Sequence, residues 1–210
     1  SRGLGDVYKR QLWINDNNPL RYISSILDGN WSENSNWDEV SYPANEYSNG
    51  SQYSTESSKY YSVSLLNSIN LKKVVEIDTL DVIDQGNLLL EPNASLTVLL
   101  DSNIHQGSIN NHGIFNSFNL FIENGVFENH YNSSFENTVR ITNGSLLNNG
   151  SVSASIIESN ESHILGNGTF KSDIFLNNGT INPGDRKHSI GSLTFKSNLV
   201  NNGKIEIDIE

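Results

Sequence analysis

Ile141-Thr142-Asn143-Gly144-Ser145-Leu146-Leu147-Asn148-Asn149-Gly150-Ser151-Val152 holds the phrase that decides how this chain folds. The unit is an apolar residue, a polar pair ending in Asn-Gly, one more residue, then an apolar residue. It recurs around Gly125 (Asn124-Gly125-Val126-Phe127), Gly168 (Asn167-Gly168-Thr169-Phe170), Gly179 (Asn178-Gly179-Thr180-Ile181) and Gly203 (Asn202-Gly203-Lys204-Ile205), with a variant at Asn110-Asn111-His112-Gly113-Ile114-Phe115. Asn-Gly tolerates positive φ and turns the chain tightly, and the flanking Val, Ile, Leu, Phe and Thr favour strands. Taken alone, each unit reads equally well as the two-residue loop of a hairpin. Its spacing points elsewhere. Gly125 to Gly150 is 25 residues (150 − 125), and Gly144 to Gly168 and Gly179 to Gly203 are 24 each, with smaller steps of 11, 12, 18 and 19 between. A dominant step in the low twenties predicts coils of a parallel β-helix, with two or three short faces per coil and variable corners. Successive coils would stack at about 4.8 Å.

Outside the phrase, period-two alternation supports the same reading. Apolar residues alternate through Tyr61-Ser62-Val63-Ser64-Leu65, through Val75, Ile77, Leu80 and Val82, and through Leu96, Val98 and Leu100. This is the pattern of half-buried strands, and no stretch carries a sustained helical period with caps. In such a coil the apolar residues are expected inside, with Ser, Asn and Thr facing water or stacked along corners. All eight Phe lie from Phe115 onward at strand spacing, which reads as solenoid core rather than an aromatic binding strip. The fold expected is all-β, a single-stranded parallel β-helix, with residues 12–59 as an irregular cap region and 60–210 as repeats. Ser1–Gln11 reads as the translation of a library adapter and is set aside. With that scar at one end and the alternating Lys204–Glu210 at the other, both ends are expected to be cut.

Composition narrows the function classes. The formal charge is −11, and Asn and Ser, about thirty of each, carry most of the polarity. An acidic surface argues against nucleic acid as a partner, which needs a basic footprint. No long apolar run suggests a membrane span. There is no Cys, so neither disulfides nor thiolate metal sites can form. The five His (His105, His112, His130, His163, His188) show no metal-binding spacing and read as solvated corner residues. Phosphate loops, nucleophile elbows and calcium nonapeptides are absent, and no cofactor is expected.

The C-terminal third carries a resemblance. Leu176-Asn177-Asn178-Gly179-Thr180-Ile181-Asn182-Pro183-Gly184, then Ser189-Ile190-Gly191-Ser192-Leu193-Thr194-Phe195, then Gly203-Lys204-Ile205-Glu206-Ile207 resembles the repeat of bacterial autotransporter-type passenger domains. The pattern Trp31, Trp37, Pro43 ahead of alternating Val/Leu strands resembles the start of similar surface β-helices, and together these cover residues 28–210. Asp185-Arg186-Lys187-His188 lengthens one loop relative to that repeat. The resemblance implies a right-handed β-helix exported to the bacterial surface, acting as a stalk or adhesin, with host or environmental glycans or surface proteins as partners. No catalytic residues carry over.

Three functional readings follow. The first is a non-catalytic structural or adhesive module, able to self-associate through a cut end. The second is a glycan-active enzyme, since some polysaccharide lyases and hydrolases are parallel β-helices; it would need Asp81 and Asp84 gathered with Arg140 in one groove. The acidic run Glu76, Asp78, Asp81, Asp84 otherwise reads as an outward polar strand face. The third is a carbohydrate-binding module whose platform is Trp31, Trp37 and Tyr42, with Tyr47 and Tyr53 nearby. Coplanar exposed Trp rings would favour that platform. Buried rings would make them a plug for the end of the solenoid.

Overall fold

The computed structural model describes residues 21–38, 61–184 and 190–207 and shows a parallel β-solenoid. Every strand–strand ladder is parallel, and no α-helix occurs among the described residues. Each turn visits three faces, here called A, B and C in chain order. The inward row of face A runs Val63, Leu80, Ser102, Leu120, Val139, Ile157, Phe175, Leu199. Face B stacks Ile69, Leu88, Ile109, Phe127, Leu146, Ile164, Ile181, Ile205. Face C stacks Val75, Leu96, Phe115, Ser133, Val152, Phe170, Phe195. Long strands such as Ser95–His105 and Thr169–Pro183 run through corners and serve more than one face.

The registers correct the spacing read from sequence. On face A successive turns differ by 17, 22, 18, 19, 18, 18 and 24 residues, so the usual turn is 18 or 19 residues long. The Asn-Gly phrase marks two different corners. Gly125, Gly144, Gly179 and Gly203 lie between faces A and B; Gly113, Gly150 and Gly168 lie between B and C. The 25-residue interval from Gly125 to Gly150 therefore joins unlike corners. It matched a coil length by coincidence.

The role assigned to Gly in the phrase also changes. At three A–B corners the left-handed conformation falls on the residue before Gly, namely Gln106 (φ 65), Asn124 (φ 56) and Asn143 (φ 53), whereas Asn178 and Asn202 do not adopt it. Gly125 is needed for another reason. A Cβ there would lie 2.5 Å from Ile104 Cγ2 in the turn below. Asn supplies the turn and Gly the close approach, each by its own chemistry.

The core is not purely apolar. Asn111, Asn129 and Asn148, expected at corners or in water, point inward and are fully buried, following Leu71 and Leu90 in a second row of face B. Asn111 Nδ2 donates to Asn129 Oδ1 at 3.0 Å, and Asn129 Nδ2 donates to Asn148 Oδ1 at 2.9 Å. Their oxygens also receive the N–H groups of Gly113 and Gly150, which closes the B–C corner. One amide carries a donor and an acceptor, so a stack of identical residues can satisfy itself turn after turn. Two aromatic clusters lie in the interior: Phe115, Phe127 and Phe135 with centroids 5.6 to 6.1 Å apart, and Phe170, Phe175 and Phe195 at 5.0 to 5.4 Å.

The ladder begins earlier than residue 60. Strand Arg21–Ser24 pairs in parallel with Tyr61–Leu65, and Gly29–Asn30 pairs with Ile69 and Asn70. The stretch read as an irregular cap thus contributes to the first described turn.

Candidate functional site

Three groups of residues were candidates for chemistry, and the solenoid register determines which of them can meet. At the first end, Asn30 stands over Asn70 and Trp31 N–H donates to Asn70 O at 2.8 Å, which sets Trp31 above Leu71. The chain then folds back through a short 3-10 turn at Asn34–Asn36, and Ser25 bridges Trp37 in the antiparallel sense. Trp37 Nε1 donates to Trp31 O at 2.9 Å, and the rings meet edge-on at 5.0 Å and 62°. Glu33 clamps this turn by accepting Asn30 Nδ2 and Asn36 Nδ2, and those hydrogen bonds hold its carboxyl below the usual range. The Trp residues are only 1% and 2% exposed. Of the two alternatives this favours the plug over a carbohydrate platform on Trp31 and Trp37: buried rings inclined at 62° offer no flat face to a sugar, and they lie over the apolar rows. Tyr42, Tyr47 and Tyr53 lie outside the described residues.

The acidic run is divided by the fold. Asp78 is buried, contrary to the outward reading, and its carboxylate accepts Tyr61 N–H at 3.0 Å beside the corner bond from Asp78 N–H to Tyr61 O. Asp81 is outward on face A and accepts Asn103 Nδ2 at 2.7 Å. Asp84 occupies the A–B corner with φ 55. Arg140 shares the outward row of Asp81 but stands three registers away, through Asn103 and Phe121, about 14 Å at normal strand spacing. It is held there by Glu158 at 2.7 Å, with its guanidinium 6.0 Å from the Phe121 centroid. The groove that would have gathered Asp81, Asp84 and Arg140 is not formed.

The third group was not anticipated. His112 and His130 follow the buried Asn111 and Asn129 at the B–C corner. They are 18 residues apart, one turn of the solenoid, so the register sets them side by side. The imidazoles stack at 4.4 Å and 4°, and His130 Nε2 lies 3.6 Å from Glu128 Oε2. Partial desolvation and then the neighbouring His130 lower the basicity of His112, against a smaller opposite pull from Glu128. Sequence spacing of 18 held the signal, but it became readable only once the true turn length was known. A third imidazole, His105, pairs separately with Glu123 at 3.2 Å.

Among the described residues no three His, Asp or Glu side chains form a ready-made metal site, and no helix is long and apolar enough to cross a membrane. Much of the outer polar surface bonds along the axis instead, as in Asn160, Asn178 and Asn202, linked amide to amide at 2.9 and 3.1 Å. Compared with protein-family models, curated proteins and solved structures, the chain gives no match.

Proposed function

We propose that this chain is a non-catalytic structural or adhesive module, a stiff rod displayed outside the cell. The observation that carries the reading is the continuity of the inward rows, which hold their stacking although the ladders shift register at Ser117/Asn119, Asn160/His163 and Lys171/Ile174. Inward rows and amide ladders continue from turn to turn, and Asp81 and Arg140 are each bonded to a neighbour in that lattice rather than to one another. Asp81 is held by Asn103, Asp101 by Asn119 and Arg140 by Glu158. Stacked turns that contact only their neighbours make a rod whose length grows with turn number, which suits display at a distance. The resemblance of the C-terminal segment to passenger repeats supports an extracellular or bacterial outer-surface location, with glycans or surface proteins as partners.

The test pairs a glycan array with a polysaccharide-degradation assay on the same protein. Binding without turnover is the expected result for an adhesive rod, and neither binding nor turnover is expected for a pure stalk. Turnover that disappears in Asp81→Ala would overturn the non-catalytic reading.

A further inference from the structure

We propose that His112 and His130 form a two-imidazole clamp for a borderline divalent metal ion of the Zn2+ or Cu2+ kind, with the Glu128 carboxylate as third donor. The clamp rests on a rigid base. His112 N–H donates to Leu90 O at 2.9 Å and His130 N–H to Asn111 O at 2.8 Å, so successive turns place both residues by the same corner bond. Directly inside them the buried amides of Asn111 and Asn129 are joined at 3.0 Å. The backbones cannot drift apart without breaking that ladder. Of the two rings His112 has room to turn, since it is exposed, whereas the His130 side chain is 28% exposed and stays beside Glu128.

The distances fit one ion after a small motion. Zn–N and Zn–O bonds are about 2.1 Å, so the 3.6 Å between His130 Nε2 and Glu128 Oε2 corresponds to an angle of about 120° at a shared ion, near tetrahedral. The ring centroids stand 4.4 Å apart with planes 4° from parallel, so their nitrogen lone pairs run side by side; the exposed His112 ring must turn out of the stack about Cβ–Cγ to aim a nitrogen at the ion held by His130 and Glu128, where two nitrogens need about 3.4 Å. Water completes the coordination. Two imidazoles and one carboxylate select zinc, copper or nickel over calcium or magnesium, which prefer all-oxygen shells. The net charge of −11 draws cations to the surface in general. Glu91, one turn before His112 in the same column, is already paired with Lys72 at 3.4 Å and is not needed as a ligand.

The experiment is calorimetric titration of the 210-residue chain with zinc chloride near neutral pH, with calcium chloride as comparison. One zinc per chain is expected, with no matching calcium signal. His112→Asn and His130→Asn should each weaken zinc at least tenfold, while His105→Asn, in the separate pair with Glu123, should leave it unchanged. Asn is a safe replacement because Asn149 occupies the next position in this column through the same corner bond, Asn149 N–H to Asn129 O at 2.7 Å. Circular dichroism of each variant confirms the fold before titration. Zinc binding that persists in either variant, or no binding by the parent chain at millimolar zinc, would overturn the clamp.

Discussion

Asparagine does three jobs in this chain, and one of them is in the core. At the A–B corner, Asn124 and Asn143 take up left-handed backbone, which Asn tolerates better than other side chains apart from Gly. Inside, Asn111, Asn129 and Asn148 form the buried ladder; outside, Asn160, Asn178 and Asn202 form an exposed one. The two ladders should differ sharply in energy. Asn129→Ala strips partners from Asn111, Asn148 and Ser133 in a dry interior and should cost about 2–3 kcal/mol, read as a lowered unfolding midpoint. Asn178→Ala, at the surface, should stay within about 0.5 kcal/mol. Equal losses would mean that the buried amides contribute no more than solvated ones. The His112 imidazole gives a pH dependence. Its folded-state basicity lies below the ordinary value near 6.5, because of partial desolvation and the stacked His130. The unfolded chain therefore binds the proton more readily, so the contribution is complete above the unfolded value and fades as pH falls through the folded one. Thermal midpoints measured from pH 7.5 to 5 should fall less steeply in His112→Asn than in the parent. Identical slopes would remove His112 from the acid response. The charged neighbours of the pair are Glu128 and, one turn away, the Lys72–Glu91 pair.

At the scale of the element, corners rather than strands carry the specificity. The strands repeat a generic alternation, whereas each corner has its own steric rule. A Cβ at Gly150 would fall 1.8 Å from Tyr131 O, a backbone atom that cannot move aside. Gly150→Ala should therefore destabilise by about 4 kcal/mol or prevent folding. Gly125→Ala meets the Ile104 Cγ2 methyl instead, which can yield in part, and should cost about 1–3 kcal/mol. Asn124→Gly should change stability by less than about 1 kcal/mol, because Gly accepts the same φ of 56. Chemical denaturation of the three variants ranks them, and a mild Gly150→Ala would contradict the close-packed corner. The solenoid also accepts one exception. Ser162 stands in the A–B Gly column and is buried against Ser159, at 2.6 Å between hydroxyls, in the turn where the inward Ile row of face A gives way to polar residues.

The described part of the solenoid has two unlike ends. At the first, Trp31 and Trp37 cover the apolar rows. At the other, the strands Thr194–Asn201 and Lys204–Ile205 pair on one side only among the described residues, and the inward Leu199 and Ile205 are 37% and 45% exposed where their counterparts one turn below are buried. Unpaired strand edges with apolar neighbours recruit further strands. Sedimentation of the 210-residue chain should therefore show association that grows with concentration and weakens in Leu199→Lys; a monomer at every concentration would count against it. The opposite end should be inert, with acrylamide quenching reaching Trp31 and Trp37 poorly in the folded state.

By itself the sequence determined the class of fold, because period-two apolar alternation broken by repeated Asn-Gly corners leaves stacked coils as the economical way to bury one face of every strand. It also marked most of the core, including six of the eight Phe; Phe118 is half-buried, and Phe121 stands in the outward row under Arg140. It could not determine which corner each Asn-Gly belongs to, and so it misjudged the turn length, the burial of Asn111, Asn129 and Asn148, and the meeting of His112 with His130. Those depend on register, and a shift of one residue exchanges inside for outside. Register was decided only in three dimensions, where steric contact at the Gly corners and amide bonding between turns select one alignment from several that the same pattern allows.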